Sequence, residues 1–334
     1  MSLFLGDTLL EREGTYGYLE TRMHQQFPDR HFTVRNLAFS ADTPLGWSRA
    51  SFDPAVKGFE RLKEQLDLVK PTVVFLGYGM AASLQEITDR SGDPTLNPDP
   101  VRYGAEPMTA TRFKGELGQL MDAIDAANKA QAGTGVRYVL LSPIRHEDLR
   151  KQKPGLPDPT AHNKLLEQYS AAIAALAKER AGTFVSLGEL ASALAEHLPG
   201  PQPAMTDNGI HLNDLGYNVL GNVVSNELGW ATDSVPSAAL RPAVIRKNEL
   251  FFHRWRPANS TYLFGFRKHE QGQNAKEIPE FDPLIEAADA EIDRLKKAGA
   301  QAQASGQPAP VAPISRDQRP RAHPAAAQAG IHAR

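Results

Sequence analysis

The sequence predicts an α/β protein, a three-layer α/β/α arrangement around a doubly wound, five-stranded parallel sheet of the flavodoxin-like kind. Three observations lead there. Short segments, apolar throughout and rich in β-branched or aromatic residues, recur along the first 190 residues, as expected of strands buried on both faces. Segments with apolar residues at helical spacing alternate with them. The connections are short, and such alternation with right-handed crossovers places helices on both faces of one parallel sheet.

Taken in order, "LFLG" at the start of the chain is the first strand. The others are His31–Phe39, Thr72–Gly79, Val136–Pro143 and Thr183–Leu190. Helical patterns cover Tyr16–Gln26, Pro54–Val69, Thr111–Ala130 and Ala161–Arg180, the last stopped by Gly182. These elements compose a first domain over residues 1–230. An extension over 231–298 follows. It is dense in aromatic and basic residues between Val244 and Gln271 and ends in an amphipathic helix, Phe281–Ala298. From Gly299 to Arg334 the chain is Ala-, Gln- and Pro-rich, too poor in large apolar residues to offset chain entropy, and is expected to be disordered.

Composition narrows the chemistry. The 334 residues are 41% hydrophobic and 23% charged with a net charge of −2, which gives no electrostatic reason to expect nucleic acid or a membrane surface as partner. No apolar run approaches the roughly 18 residues of a membrane span. With zero cysteines there are no disulfides, thiolate metal sites or cysteine nucleophile. The histidines lack metal-site spacing, so neither metal nor cofactor is expected. The chain enters "LFLG" at its third residue without a targeting segment. The expectation is cytoplasmic as written, or exported if the natural start lies upstream.

A ligand site in such a sheet lies beyond the carboxyl ends of the strands. The residues there are "FLGDT", "NLAFSADT", "GYGMAAS", "SPIRHED" and, before a last helix, "NGIHLNDLGY". In that order they resemble the sequence blocks of the SGNH (GDSL) hydrolase superfamily over roughly residues 1–230. The segment Val244–Gln271 also resembles an extension in a bacterial subgroup of it. The resemblance implies acyl transfer to a hydroxyl, with histidine as base, an acidic residue orienting it and backbone N–H groups forming an oxyanion hole.

Carried over by position, Thr8 is the nucleophile and His211 the base. Asn208 stands where the family has the orienting aspartate, with Asp207 one residue earlier, and either is a candidate to face the ring. Thr8 and Ala41 supply oxyanion N–H groups. Ala81 replaces the asparagine whose amide would be a further donor. The bland reading makes Thr8 a helix cap and "TDNGIH" a polar turn, with Asn213 capping the last helix. Asp7, Arg145, His146 and Trp255 are candidates for substrate binding. The expected function is an ester hydrolase for a small-molecule ester or acetylated carbohydrate. The alternative is a degenerate member of the fold serving as a binding or assembly module.

Overall fold

A computed structural model describes residues 1–50, 53–84, 107–129, 135–195, 202–230, 237–257 and 260–305. Ala130, residues 231–236 and the Pro-rich stretch 306–334 lie outside the described residues.

Five parallel strands form one sheet: β1 (Ser2–Gly6), β2 (Val34–Asn36), β3 (Val73–Gly77), β4 (Arg137–Leu141) and β5 (Thr183–Val185). Their order is β2-β1-β3-β4-β5. The three central strands run five residues each, whereas the two edge strands are shorter than the sequence pattern suggests. Each edge has one neighbour to pair with. At β2 the ladder with β1 covers Ser2–Phe4, after which Leu37 and Phe39 still donate to Phe4 and Gly6 carbonyls. Beyond β5 the apolar Leu187 and Leu190 are buried in a turn and a helix start rather than in a strand.

The period-2 geometry of a strand sends alternate side chains to opposite faces. Leu3, Leu5, Val74 and Leu76 meet α3 (Val56–Val69), α5 (Ala110–Asn128) and α6 (Thr160–Glu179) through Leu62, Leu66, Phe113, Leu117 and Ile173. Phe4, Phe75, Val139 and Leu141 meet α1 (Thr8–Tyr16), α2 (Tyr18–Gln26) and α8 (Asp214–Glu227) through Leu10, Leu19, Tyr217 and Val224. Two short helices sit at strand ends, α4 (Met80–Leu84) and α7 (Leu190–Ala195).

The helix expected over Tyr16–Gln26 is α2, and a further helix not expected from the pattern, α1, precedes it over Thr8–Tyr16. Gly17 separates them at φ 68°, a left-handed conformation that glycine adopts without steric cost. Its N–H caps α1 at the Glu13 carbonyl.

After residue 236 the chain forms α9 (Leu240–Trp255), the short turns α10 (Ser260–Leu263) and α11 (Lys268–Gln271), a 3₁₀ segment (Gly272–Glu280) and α12 (Phe281–Ser305). The last helix continues seven residues past the predicted end at Ala298, through "GAQAQAS", whose alanines and glutamines are good helix formers. Helices α9 and α12 bury Leu240, Val244, Ile292 and Leu295 between them. Leu250 and Phe251 of α9 reach the core on one face of the sheet. Of the aromatic segment, Phe251 packs inward, whereas Phe264 and Phe266 are exposed.

Polar contacts also tie the extension to the sheet domain. Lys247 is fully buried, with Nζ 2.7 Å from Glu20 Oε1 of α2 and 3.0 Å from the Val34 carbonyl of β2. Arg35 pairs with Asp289 at 2.5 Å, and Arg256 with Glu11 of α1 at 2.6 Å. Among the described residues, no helix is long and apolar enough to cross a membrane.

Candidate active site

Strands β1 and β3 are adjacent while their outgoing connections run to opposite faces, and that reversal opens a crevice at their carboxyl ends. A cleft of about 100 Å³ lies there. Its walls are Asp7, Thr8 and Leu9 after β1, Ala41 after β2, Tyr78, Met80, Ala81 and Leu84 after β3, Pro143 and Ile144 after β4, and Ile210 and His211. Thr8, Ala41 and His211 come from segments far apart in sequence and meet in this one place.

Asp7 is the N-cap of α1. Its Oδ1 accepts from the Leu9 N–H at 3.1 Å and its Oδ2 from the Ala81 N–H at 3.1 Å. The cap role falls to Asp7, not Thr8, and ties the β1 and β3 loops together. Burial raises the Asp7 carboxyl to about 6, against the backbone bonds from Ala81, Leu9 and Gly79 that favour its charge.

Thr8 is the first helical residue, with its hydroxyl toward the β2 loop. The Ala41 N–H donates to Thr8 Oγ1 at 3.0 Å. Ala41 holds φ 57°, a conformation that costs a residue with a Cβ about 1 kcal/mol. The N–H is kept in place at that cost. At Ala81 the backbone N–H belongs to Asp7, and the side chain has no amide to offer.

His211 sits on a loop closed by backbone bonds. Asp207 N–H donates to the His211 carbonyl at 2.8 Å, and Asn213 N–H to the Met205 carbonyl at 2.9 Å. Glu147, after β4, holds this loop from outside by accepting from Met205 N–H, Thr206 N–H and Thr206 Oγ1 at 3.1, 2.9 and 2.5 Å. Gly209, at φ 95°, lies so close to His146 that a Cβ there would come within 2.8 Å of its ring. Asn213 caps α8 by accepting from Gly216 N–H at 3.0 Å.

Asn208, not Asp207, faces the ring. Asn208 Nδ2 is 3.2 Å from His211 Nδ1. Asp207 turns outward, its Oδ2 2.8 Å from Arg12 Nη2. Burial lowers the His211 pKa, the Arg12 cation lowers it further, and Asp207 opposes both. Burial and Arg12 thus favour the neutral imidazole.

The substrate-binding candidates other than Asp7 stand outside the walls of the cleft. Arg145 is on the surface, 3.1 Å from Glu167. Trp255 packs beside Phe251 in the extension, ring centroids 5.6 Å apart. His146 is buried, with Nδ1 3.0 Å from His162 Nδ1, and His162 Nε2 lies 2.7 Å from Ser83 Oγ. Burial, with His146 alongside, lowers His162 to about 4. Sequence reading did not find Arg12, His162 or the clamping role of Glu147. Each acts on a partner remote in the chain, and no local spacing signals it. Among the described residues, no three or more His, Asp or Glu side chains converge to hold a metal ion.

A β2-β1-β3-β4-β5 parallel sheet with helices on both faces is the arrangement of the SGNH hydrolase fold, which other doubly wound proteins share. The chain belongs to the GDSL-like lipase/acylhydrolase family, whose sequence model matches residues 4–219. No curated protein matches it. Similar solved structures include a catalytic mutant of an acetylxylan esterase from Geobacillus stearothermophilus, with 18% identity over 70% of this chain and 96% of that one and a TM-score of 0.47. Another is a GDSL-like lipase from Parabacteroides merdae, with 14% identity over 68% and 94% and a TM-score of 0.47.

Proposed function

We propose that the chain hydrolyses small acyl esters, O-acetyl groups on carbohydrate among them, in the cleft between Thr8 and His211. The observation that supports this most is the convergence of Thr8, His211 and the Ala41 N–H on one apolar cleft of acyl-group size.

In this reading His211 takes the proton from Thr8 Oγ1 as the oxygen attacks the ester carbonyl carbon. The carbonyl oxygen becomes an oxyanion facing the N–H groups of Thr8 and Ala41. The carbon–oxygen bond to the alcohol breaks, and His211 returns the proton to the leaving alcohol. Water then repeats the sequence on the acyl-threonine, its proton passing through His211 back to Thr8. Two features make the reaction slow. The methyl of Thr8 restricts its χ1, and the missing amide at Ala81 removes a donor of a kind worth about 10²–10³ in rate.

Hydrolysis of p-nitrophenyl acetate tests the reading. Turnover in the wild type that disappears in both Thr8→Ala and His211→Ala supports it, and full activity in Thr8→Ala removes Thr8 as nucleophile.

A degenerate, ligand-binding member of the family is the second reading. The observation favouring it is an amide nitrogen at His211 Nδ1, where charge stabilisation needs a carboxylate. Absence of turnover on a panel of acyl esters and acetylated sugars, with no fluorophosphonate labelling, decides for it.

A further inference from the structure

The contacts of Asn208 fix more than the direction of the His211 ring. Asn208 Oδ1 accepts from two backbone donors, Ile210 N–H at 3.3 Å and His211 N–H at 3.0 Å. An amide nitrogen carries hydrogens and no acceptor lone pair, so the side chain cannot be turned over without setting two donors against two donors. The Nδ2 group is thereby committed to the ring, 3.2 Å from Nδ1. A donor facing Nδ1 requires a lone pair on Nδ1. In a neutral imidazole the one remaining proton then sits on Nε2.

A base in this fold needs the reverse arrangement, with Nδ1–H held by an acceptor and the lone pair on Nε2 free to take the hydroxyl proton. Asp207 does not supply that acceptor. Its carboxylate is paired with Arg12 at 2.8 Å, its N–H is bonded across the loop to the His211 carbonyl, and its own carbonyl accepts from Lys153 Nζ.

We propose that Asn208 is a positioning residue that holds His211 in the Nε2–H tautomer, so that the resting ring presents a hydrogen-bond donor where ester hydrolysis needs a base. To act as base, the ring has to exchange tautomers, and Asn208 has to surrender its two backbone bonds. The cleft is thus held in a slow state by one neutral side chain. Asn208→Asp releases it, because a carboxylate accepts from both backbone N–H groups and also from Nδ1–H. The tautomer assignment stands independently of the ester-hydrolase reading. Its effect on rate rests on that reading.

Long-range ¹H–¹⁵N spectra of the labelled full chain test the assignment, taken about two pH units above the ordinary histidine value. The His211 signal is identified among ten histidines by its loss in His211→Gln. The wild type is expected to show a protonated Nε2 and a bare Nδ1, and Asn208→Asp the opposite. With the switch, kcat/KM for p-nitrophenyl acetate rises at least about 10²-fold, since the converse change in a serine protease costs about 10⁴. The acid limb of the pH profile also moves up, because the new carboxylate stabilises the imidazolium. A wild-type ring protonated on Nδ1 overturns the proposal, as does a tautomer that Asn208→Asp leaves unchanged. A tautomer that switches with no gain in turnover supports the proposal and overturns the ester-hydrolase reading.

Discussion

Ala41 shows how much one residue's backbone decides in this cleft. At φ 57° its Cβ is strained, and glycine would relieve about 1 kcal/mol, offset in part by the greater freedom of the unfolded chain. Ala41→Gly is expected to raise the midpoint of urea unfolding slightly, and a lower midpoint contradicts the strain. His211 carries a pH prediction. Only the neutral ring can accept a proton, and burial and Arg12 both lower its pKa. Esterase activity should therefore persist on the acid side of the ordinary histidine range. In Arg12→Met the opposing Asp207 acts unpaired, so the acid limb should move to higher pH. A limb that stays put or moves down counts against this electrostatic account. The residues of the cleft were legible in sequence because they follow strands and match known blocks. Which of Asp207 and Asn208 faces the ring was not, because Arg12 decides it from another helix.

At the scale of elements, the contact of α9 with α2 and β2 rests on a charged pair in the core. Glu20 is held down at about 2: burial raises its pKa, but Lys247 and His24 outweigh it. Removing Lys247 leaves that buried carboxylate with only His24 at 3.5 Å and the Asn248 amide at 2.8 Å, and losing the cation of a buried pair typically costs about 3–5 kcal/mol. Lys247→Ala should lose stability of that order in urea unfolding, and a loss under 1 kcal/mol would mean the pair is solvated. Glu13 makes a second case. Burial pushes it up to about 8, and its Oε2 has no partner. The folded chain therefore keeps a proton that the unfolded chain releases near 4.5. Stability contributed by Glu13 is full below that pH and is lost as pH rises through about 8. Glu13→Gln should flatten this decline and raise Tm at pH 8 more than at pH 5, and equal shifts at both would refute it. The helix pattern of α3, α5 and α6 was visible in sequence to within two residues. The same holds for α2, but α1 was not visible, because "TLLEREGTY" has few apolar residues at helical spacing and contains a glycine.

For the whole molecule, the extension and the sheet domain share one apolar core and several buried charges. Leu250 and Phe251 pack with strand residues Leu3 and Leu5 in a single cluster. Calorimetry of the full chain should accordingly show one cooperative transition rather than two. A separate low-temperature transition, abolished by deleting residues 237–305, would mean the extension folds on its own. The parallel, doubly wound sheet was legible from the alternation of strand and helix patterns, whereas the order β2-β1-β3-β4-β5 comes from long-range pairing that no local pattern carries. In the extension, which aromatics face the core was not legible, since a segment such as "FFHRWRP" suits burial and stacking on a ligand alike.

The hydrogen bond from Ala41 to Thr8 Oγ1 has a consequence for timing. In the proposed reaction the N–H that would receive the oxyanion starts out engaged by the oxygen that would attack, Thr8 Oγ1. Once that oxygen is acylated it becomes a poor acceptor, while the neighbouring oxyanion becomes a strong one. The donor is handed from one to the other during the step and binds more tightly at the transition state than before it. If the proposed reaction holds, a cleft built this way would grip a substrate lightly and discriminate by the charge the reaction creates.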